Sequence, residues 1–590
     1  MSKRRLAGDV ARIVGAAFCV ALIAEASVAT IRLNCFTVTK ILGIHTRVPW
    51  LDEWAMVHEF MLYKHGSPLF PILWSSYWGH RLVIPRLIFF ANLQWASGAS
   101  LTWLTLTIQL LHIGLLCALS WVLLGRRSRM LFAASVTVIL NLMLSPLQMQ
   151  NFVWSIQFMF PLVYAASSAA FLCLALHRES GRKSFLLLCV AAAAVASYTM
   201  PNGILVWPVL AAQAIYLKMN RRLTIAIALL GAGVIATYSW SYKAPALGLG
   251  LWGILHHPVD AVMLVGLLLG AALQSISLRV GIAVTLFALA GAVYVGAKTL
   301  RERPPQPAWL SALAAIIVFL LLSAVGVVAG RLTPQWLTGD IAAPSRYYTL
   351  INTFWAALAI LILYLCSRQP RPAALVAGFY SALYLCLIFL HFATQIDMAA
   401  DWADFIRGTD AMGAALLVDA PDEKLLSVLW APEPGQPQRG EIAAFLRQER
   451  LAFFAEPRAA WHGRRVSELF PVSGDRCTGG IERTFALSNS AAEEWWRVEG
   501  WGWDVSTNRG FDYLLIAEPT GMVAGVARGG FRHRYIPGFF TDVAAAPAHQ
   551  IRFPASEWFG YVRQRVQSRW TVYGVLPQMD RVCMIVDENN

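Results

Sequence analysis

The sequence predicts a polytopic α-helical membrane protein of about eleven spans, followed by an extracytoplasmic α/β region that ends in a β-sandwich. Three observations carry this fold class. The 590 residues are 57% hydrophobic and only 14% charged, far from the composition of soluble globular domains. Charge is unevenly spread, with 28 Lys and Arg against 9 Asp and Glu in residues 1–396, but 20 against 25 in residues 397–590. Near residue 397 the hydrophobic pattern also changes, from long apolar runs to short alternating ones, and alternation is the mark of half-buried strands.

Apolar runs long enough to cross a bilayer fall near 13–33, 101–124, 130–145, 158–177, 184–200, 203–218, 223–241, 279–297, 308–328, 350–366 and 373–392. The first follows Met1–Arg5 as a signal peptide would, but it is long enough to span and contains Glu25, so it reads as a retained helix. Basic clusters at Lys3–Arg5, Gly125–Arg129, Arg178–Lys183, Lys218–Arg222, Lys298–Arg303 and Arg368–Arg371 separate the runs. The positive-inside rule puts all of them in the cytoplasm, and an odd number of spans then puts residues 393–590 outside. Stretches 82–97 and 259–277 would break the alternation as full spans and read as helices at the outer surface or dipping into it. The expected domains are a transmembrane domain at 1–396, whose first outer loop covers 34–100, a mixed α/β connecting region at 397–474, and a β-sandwich at 475–590. Shorter outer loops fall at 146–157, 242–278 and 329–349.

Acids are scarce before residue 397, and Asp52, Glu53 and Glu59 lie close together in the first outer loop, in PWLDEWAMVHEF. On a helix Asp52 and Glu59 share a face while Glu53 points about 100° away. A carboxylate there is placed to take a proton from an acceptor hydroxyl as that hydroxyl attacks a sugar carbon. The bland alternative is the solvated face of an interfacial helix. Downstream, GHRLVIPRL contains His80, Arg81 and Arg86. Arginine suits a phosphodiester because its planar fork donates paired hydrogen bonds and keeps its charge beside lipid, although a snorkelling arginine would have the same sequence. Arg331 in AGRL and Arg346 in APSRYY, which includes Tyr347, fall on the outer side against the charge rule, an exception that asks for an anionic partner. QMQNFVWSIQ gathers Gln150, Asn151 and Trp154, and YTMPNG adds Asn202. Such groups serve sugar hydroxyls and ring faces, and they also belong to any interfacial belt.

The nine cysteines form no CxxC pair and no Cys/His cluster, which argues against zinc or redox chemistry. Cys477 and Cys583, in the soluble part, read equally well as a disulfide or as two separate thiols. His256 and His257 have no carboxylate arrangement suited to a metal. The bases form no stripe interleaved with aromatics, so nucleic acid is excluded as a partner.

Taken in order, these motifs resemble bacterial polytopic glycosyltransferases of the GT-C superfamily over roughly residues 10–395. The resemblance rests on Asp52-Glu53-Trp54, the HRxxxPR element (His80, Arg81, Pro85, Arg86), the amide-rich loops, and a late GR…SRY loop (Gly330, Arg331, Ser345, Arg346, Tyr347). It implies a GT-C-like fold in the bacterial inner membrane, a polyprenyl-phosphate sugar donor, a glycan or glycolipid acceptor, and inverting transfer outside the membrane. Asp52 or Glu53 would be the general base. Arg81, Arg86, Arg331 and Arg346, with Tyr347, would hold the departing phosphate, and His80, Gln150, Asn151, Trp154 and Asn202 would contact sugar or acceptor. No cofactor is implied, since the phosphate is a good leaving group, although some members of the superfamily use a divalent metal. Trp78-Gly79 departs from the Asn-Glu-like pair often found before the His-Arg of this group. Trp496–Arg534 is similar to sandwich domains appended to bacterial sugar-transferring membrane proteins, which makes Trp501, Trp503, Trp558 and Tyr561 candidates for stacking on glycan rings. A transporter or flippase of lipid-linked glycans would want the same outer groups, together with broken or charged mid-membrane sites and internal repeats; no clear repeat is present. A membrane O-acyltransferase would need a buried histidine on a span, for which His112 and His391 are the candidates.

Overall fold

The computed structural model describes residues 3–77, 79–240, 250–273, 277–301, 307–333, 345–368, 373–430, 438–490, 493–532, 554–564 and 570–586. The chain is helical up to Leu469 and β-rich from Val472 onward. It forms two compact units, the first made of Met1–Leu42, Leu73–Leu87 and Leu101–Ala399, the second of Gly43–Ile72, Ile88–Ser100 and Ala400–Asn590.

Seven helices among the described residues are long and apolar enough to cross a membrane: Ala17–Gly43, Thr102–Gly125, Arg129–Val153, Ser155–Ser180, Arg221–Ser239, Ala308–Arg331 and Ser345–Cys366. They mark the chain as a membrane protein. Three further apolar helices, Lys183–Ser197, Pro258–Leu269 and Arg279–Gly291, are shorter. The run at 203–218 is a 3-10 turn, Pro201–Leu205, leading into the helix Val206–Tyr216. Gly203 belongs there because a Cβ would collide with the Ala196 carbonyl at the end of the preceding helix. Residues 373–392 lie in the helix Ala373–Leu417.

Within the first unit, short polar side chains join the helices. Ser120 and Ser135 hydroxyls meet at 2.7 Å, His112 meets Ser168 at 3.1 Å, and Gln213 donates to the Phe171 carbonyl at 3.0 Å. Where every neighbour is apolar, such bonds and close approach replace the hydrophobic drive for association. His112 is thus a packed, hydrogen-bonded residue.

The second unit divides the stretch 34–100, expected as one outer loop, because the helix Asp52–Lys64 and residues 88–100 fold with the C-terminal region. The Leu51 N–H donates to the Leu429 carbonyl at 2.6 Å, and the Ala452 N–H donates to Ser97 at 2.8 Å. Trp54, fully buried, stacks on Trp430 at 6.3 Å, and Phe60 packs edge-on against Phe90 and Phe445.

The β region has eight strands: β1 (Val472–Ser490), β2 (Glu493–Asp504), β3 (Arg509–Gly510), β4 (Tyr513–Ala517), β5 (Val523–Phe531), β6 (Glu557–Gln564), β7 (Thr571–Val575) and β8 (Val582–Val586). Their order is β1-β8-β7-β4-β5-β6-β2-β3, and antiparallel pairing of β1 with β2 closes the sheet into a barrel. This corrects the expected sandwich, which would have been two sheets face to face. Closure draws on the length of β1 and β2 and on irregular register at Ile481/Arg483 and Ala486/Ser488, since bulges bend and twist a strand pair. Glycines facing inward leave room for aromatic rings: a Cβ on Gly574 would run into Phe511, and one on Gly500 into Trp558.

Val498, Phe511, Leu514, Ile516, Trp558 and Val562 fill one core. On the other face of the same strands, Leu515, Ala517, Val523 and Val526 are covered by Trp461, Val466 and Phe470. Three of the aromatic residues expected to stack on glycans are therefore buried. Trp503 and Trp558 are 5% and 2% exposed, and fully buried Tyr561 donates its hydroxyl to Asp422 at 3.0 Å; Trp501 is half-buried.

Cys477 on β1 and Cys583 on β8 form a disulfide across neighbouring parallel strands, with Cα atoms 6.1 Å apart and a sequence separation of 106. Cys477→Ser is expected to cost about 2–5 kcal/mol, read as a lower Tm of the detergent-purified protein. An unchanged Tm, with and without reductant, would show that the bond contributes nothing to stability.

Candidate functional site

The site in the helical unit starts from a tight turn. Tyr77 and His80 exchange main-chain hydrogen bonds of 2.9 and 2.8 Å, and Gly79 between them sits at φ +75°, where a side chain would be strained. The two arginines after the turn anchor it. Arg81 Nε donates to the Tyr238 carbonyl at 2.7 Å, its Nη1 donates to Trp74 and its Nη2 to Trp240. The guanidinium also lies 5.2 Å from the Trp74 ring. Arg86 Nη1 donates to the carbonyls of Leu73 and Ser75, at 3.2 and 2.6 Å. Both side chains are buried. A guanidinium suits carbonyls at the end of the helix Arg221–Ser239, where the helix dipole is negative. All three Arg81 guanidinium nitrogens thus meet main chain, where the sequence reading had placed a donor phosphate.

His80 faces a different arginine. Arg331, at the end of the helix Ala308–Arg331, brings Nη2 within 2.9 Å of His80 Nε2. A guanidinium can only donate, so Nε2 accepts and the proton of the neutral ring lies on Nδ1. Nδ1 is shielded from solvent and makes no hydrogen bond among the described residues. Burial, then the charges of Arg331 and Arg346, push the His80 pKa down to about 3, so the ring is neutral at physiological pH.

Arg346 and Tyr347 lie in the 3-10 turn Ser345–Tyr347, which leads into the helix Tyr348–Cys366. The amide-rich loop clamps this turn. Gln150 Oε1 accepts from the Arg346 N–H at 3.1 Å, and Asn151 Nδ2 donates to the Arg346 carbonyl at 3.0 Å and to Thr349 Oγ1 at 2.8 Å. Ser345 Oγ donates to the Leu147 carbonyl at 2.6 Å, and Thr349 Oγ1 donates to Gln148 Oε1 at 2.9 Å. Gln150 and Asn151, expected on a sugar, therefore position Arg346, while Asn151 Oδ1 is buried without a hydrogen-bond partner among the described residues. The Arg346 guanidinium lies 5.4 Å from the Tyr347 ring and has no carboxylate within ion-pair distance among the described residues. Trp154 is 3% exposed, in the core. Asn202 Nδ2 reaches the Tyr164 hydroxyl at 3.3 Å and Ser323 Oγ at 3.2 Å, tying its turn to two helices. Ser345, already part of the SRY element, takes a structural part in the clamp, whereas Thr349 and the Tyr238 carbonyl escape the sequence reading, and nothing in their local sequence marks them.

Asp52, Glu53 and Glu59 belong to the second unit. Glu53 is buried, and its Oε2 accepts from the Trp50 N–H at 3.0 Å, while Trp54 Nε1 donates to the Pro49 carbonyl at 2.6 Å. Asp52 and Glu59 are both half-buried. Asp52 occupies the first turn of its helix, where the dipole favours a carboxylate. Leu51 before it has φ +46° and ψ −113°, a strained conformation of the kind that gathers at functional sites.

No protein-family model, curated protein or solved structure matches this chain. Any functional reading rests on its own geometry. Among the described residues no group of three or more His, Cys, Asp or Glu is placed to hold a metal ion.

Proposed function

We propose that the protein is a membrane glycosyltransferase that moves a sugar from a polyprenyl-phosphate donor to an extracytoplasmic glycan or lipid-linked acceptor, with inversion. Arg346 carries the reading. It is a guanidinium beside a membrane helix, its backbone clamped by Gln150 and Asn151, with no carboxylate to neutralise it among the described residues. A charge of that kind calls for an anion, and a phosphate leaving group is one that gains charge as the glycosidic bond breaks. Arg331 adds a second guanidinium beside His80. Asp52 supplies a half-exposed carboxylate to activate the acceptor hydroxyl. The Cys477–Cys583 bond supports an oxidising compartment for the barrel, in keeping with a periplasmic C-terminal region and a cytoplasmic N-terminus in an inner membrane.

The test is transfer from labelled polyprenyl-phosphate sugars by protein in nanodiscs. Arg346→Ala is expected to lower kcat/KM about 10²–10³-fold, the usual loss when a group stabilising developing charge is removed. Arg346→Lys should recover part of it, because the charge is kept and the fork is lost. Undiminished transfer by Arg346→Ala would sink the reading, and translocation of a lipid-linked glycan without product would place the chain among transporters. A reporter fused after Asp401 should be active only outside the cytoplasm; activity inside would reverse the topology.

A further inference from the structure

We infer that His80, Arg331 and Arg346 form an oxyanion subsite in which the neutral imidazole gives its Nδ1–H to an oxygen of the ligand. The inference rests on the proposed reading of Arg346 and deepens it, because it assigns a tautomer, a donor atom and an acceptor chemistry to the same site.

Three observations meet at His80. The Arg331 contact at 2.9 Å fixes Nε2 as the acceptor, so the ring can offer only Nδ1–H. That donor is shielded from water and pairs with nothing among the described residues; an unmet buried donor is costly and asks for a partner. The charges of Arg331 and Arg346 both act on the ring, so protonating it would add a third positive charge. A sugar hydroxyl would satisfy Nδ1–H but leave the guanidinium charge of Arg346 without a counter-ion among the described residues. A phosphate oxygen satisfies both at once, accepting from the imidazole while its charge lies among the arginines. His80 is therefore a binding group and not a proton shuttle. Its selectivity is for unprotonated phosphate oxygens, carried either by a lipid headgroup or by free phosphate.

Two substitutions divide the ring's tasks. His80→Asn sets an amide N–H where Nδ1 lies and leaves nothing at Nε2. His80→Gln sets an amide at the reach of Nε2, able to accept from Arg331, and offers no donor at Nδ1. Polyprenyl monophosphate and, separately, inorganic phosphate are titrated against wild-type protein and both variants in nanodiscs. His80→Asn is expected to bind within about threefold of wild type, and His80→Gln at least about tenfold more weakly, a tenfold change being about 1.4 kcal/mol. The reverse order, no change in either variant, or binding of neither probe by wild type overturns the subsite. Tighter binding of the polyprenyl probe assigns the site to a lipid headgroup, and equal binding assigns it to the phosphate alone; both support the oxyanion.

Should the variants fail to fold, ¹⁵N-histidine spectra of wild type decide the matter. A protonated Nδ1 that shifts when the probe is added supports the inference, and a protonated Nε2 overturns it. Phosphate binding without sugar transfer would leave the subsite standing while the transferase reading fails. Transfer that is indifferent to both substitutions would do the opposite.

Discussion

Asp52→Asn is expected to lower sugar transfer about 10²–10⁴-fold, the range for loss of a general base, in a protein that remains folded. Asparagine matches the carboxylate in shape, and Asp52 is half-buried at the start of its helix, so the change removes basicity with little packing. Glu53→Gln should behave in the opposite way. Glu53 is buried and accepts from the Trp50 N–H, a bond that glutamine Oε1 can still accept, so turnover should remain within a few-fold while stability drops by about 1 kcal/mol. Initial rates beside melting curves separate the two effects. Loss of transfer in Glu53→Gln with normal transfer in Asp52→Asn would exchange the two roles, and normal transfer in both would remove the general base from this helix altogether.

The sequence could not choose within this pair. Spacing put Glu53 off the face shared by Asp52 and Glu59, but which face the fold buries depends on Trp54 meeting Trp430 and Phe60 meeting Phe445, partners far away in the chain. Seven of the eleven expected spans were legible as long apolar helices among the described residues, because length and composition alone decide whether a helix can span. Strand-like segments after residue 472 were legible for the same local reason. Their closure into a barrel was not, since inward and outward alternation is identical in a sandwich, and the deciding β1–β2 register is a property of the pairing. YLLIA hid its two faces because the barrel core takes Leu514 and Ile516 while Trp461 and Phe470 cover Leu515 and Ala517.

At the site, residue type was a better guide than role. The arginines and amides stood out as unusual for an outer loop, yet an amide that clamps a main-chain turn and one that binds a sugar carry the same groups. Gln150 and Asn151 hold Arg346, and Arg81 and Arg86 hold the His80 turn. Only the pairing of His80 with Arg331 separates a framework arginine from one poised beside an orphaned donor.

The largest loss of stability is expected from Asp410→Ala in the second unit. Asp410 is 3% exposed and takes a two-pronged ion pair from Arg458, with N–O distances of 2.8 and 2.5 Å. Arg528 Nε lies 3.2 Å away, and Tyr513 and Thr46 donate hydroxyls at 3.1 and 3.0 Å. One carboxylate thus joins the segment before the helix Asp52–Lys64, the helix Ala373–Leu417, the turn Pro457–Ala460, β4 and β5. Removing it leaves two buried guanidinium groups short of their counter-charge, at a cost of about 3–5 kcal/mol. Burial by itself would raise the Asp410 pKa, but Arg458 and Arg528 outweigh it and hold the carboxyl below its ordinary 3.8. A carboxyl depressed on folding stabilises the protein at pH above its unfolded value, and that stability is lost as pH falls through the folded value. Melting curves of wild type should therefore drop steeply below about pH 4, and those of Asp410→Ala should start lower and fall less steeply. A variant with the wild-type Tm and the same acid limb would mean that the arginines find other partners and that the carboxylate does not hold the unit together.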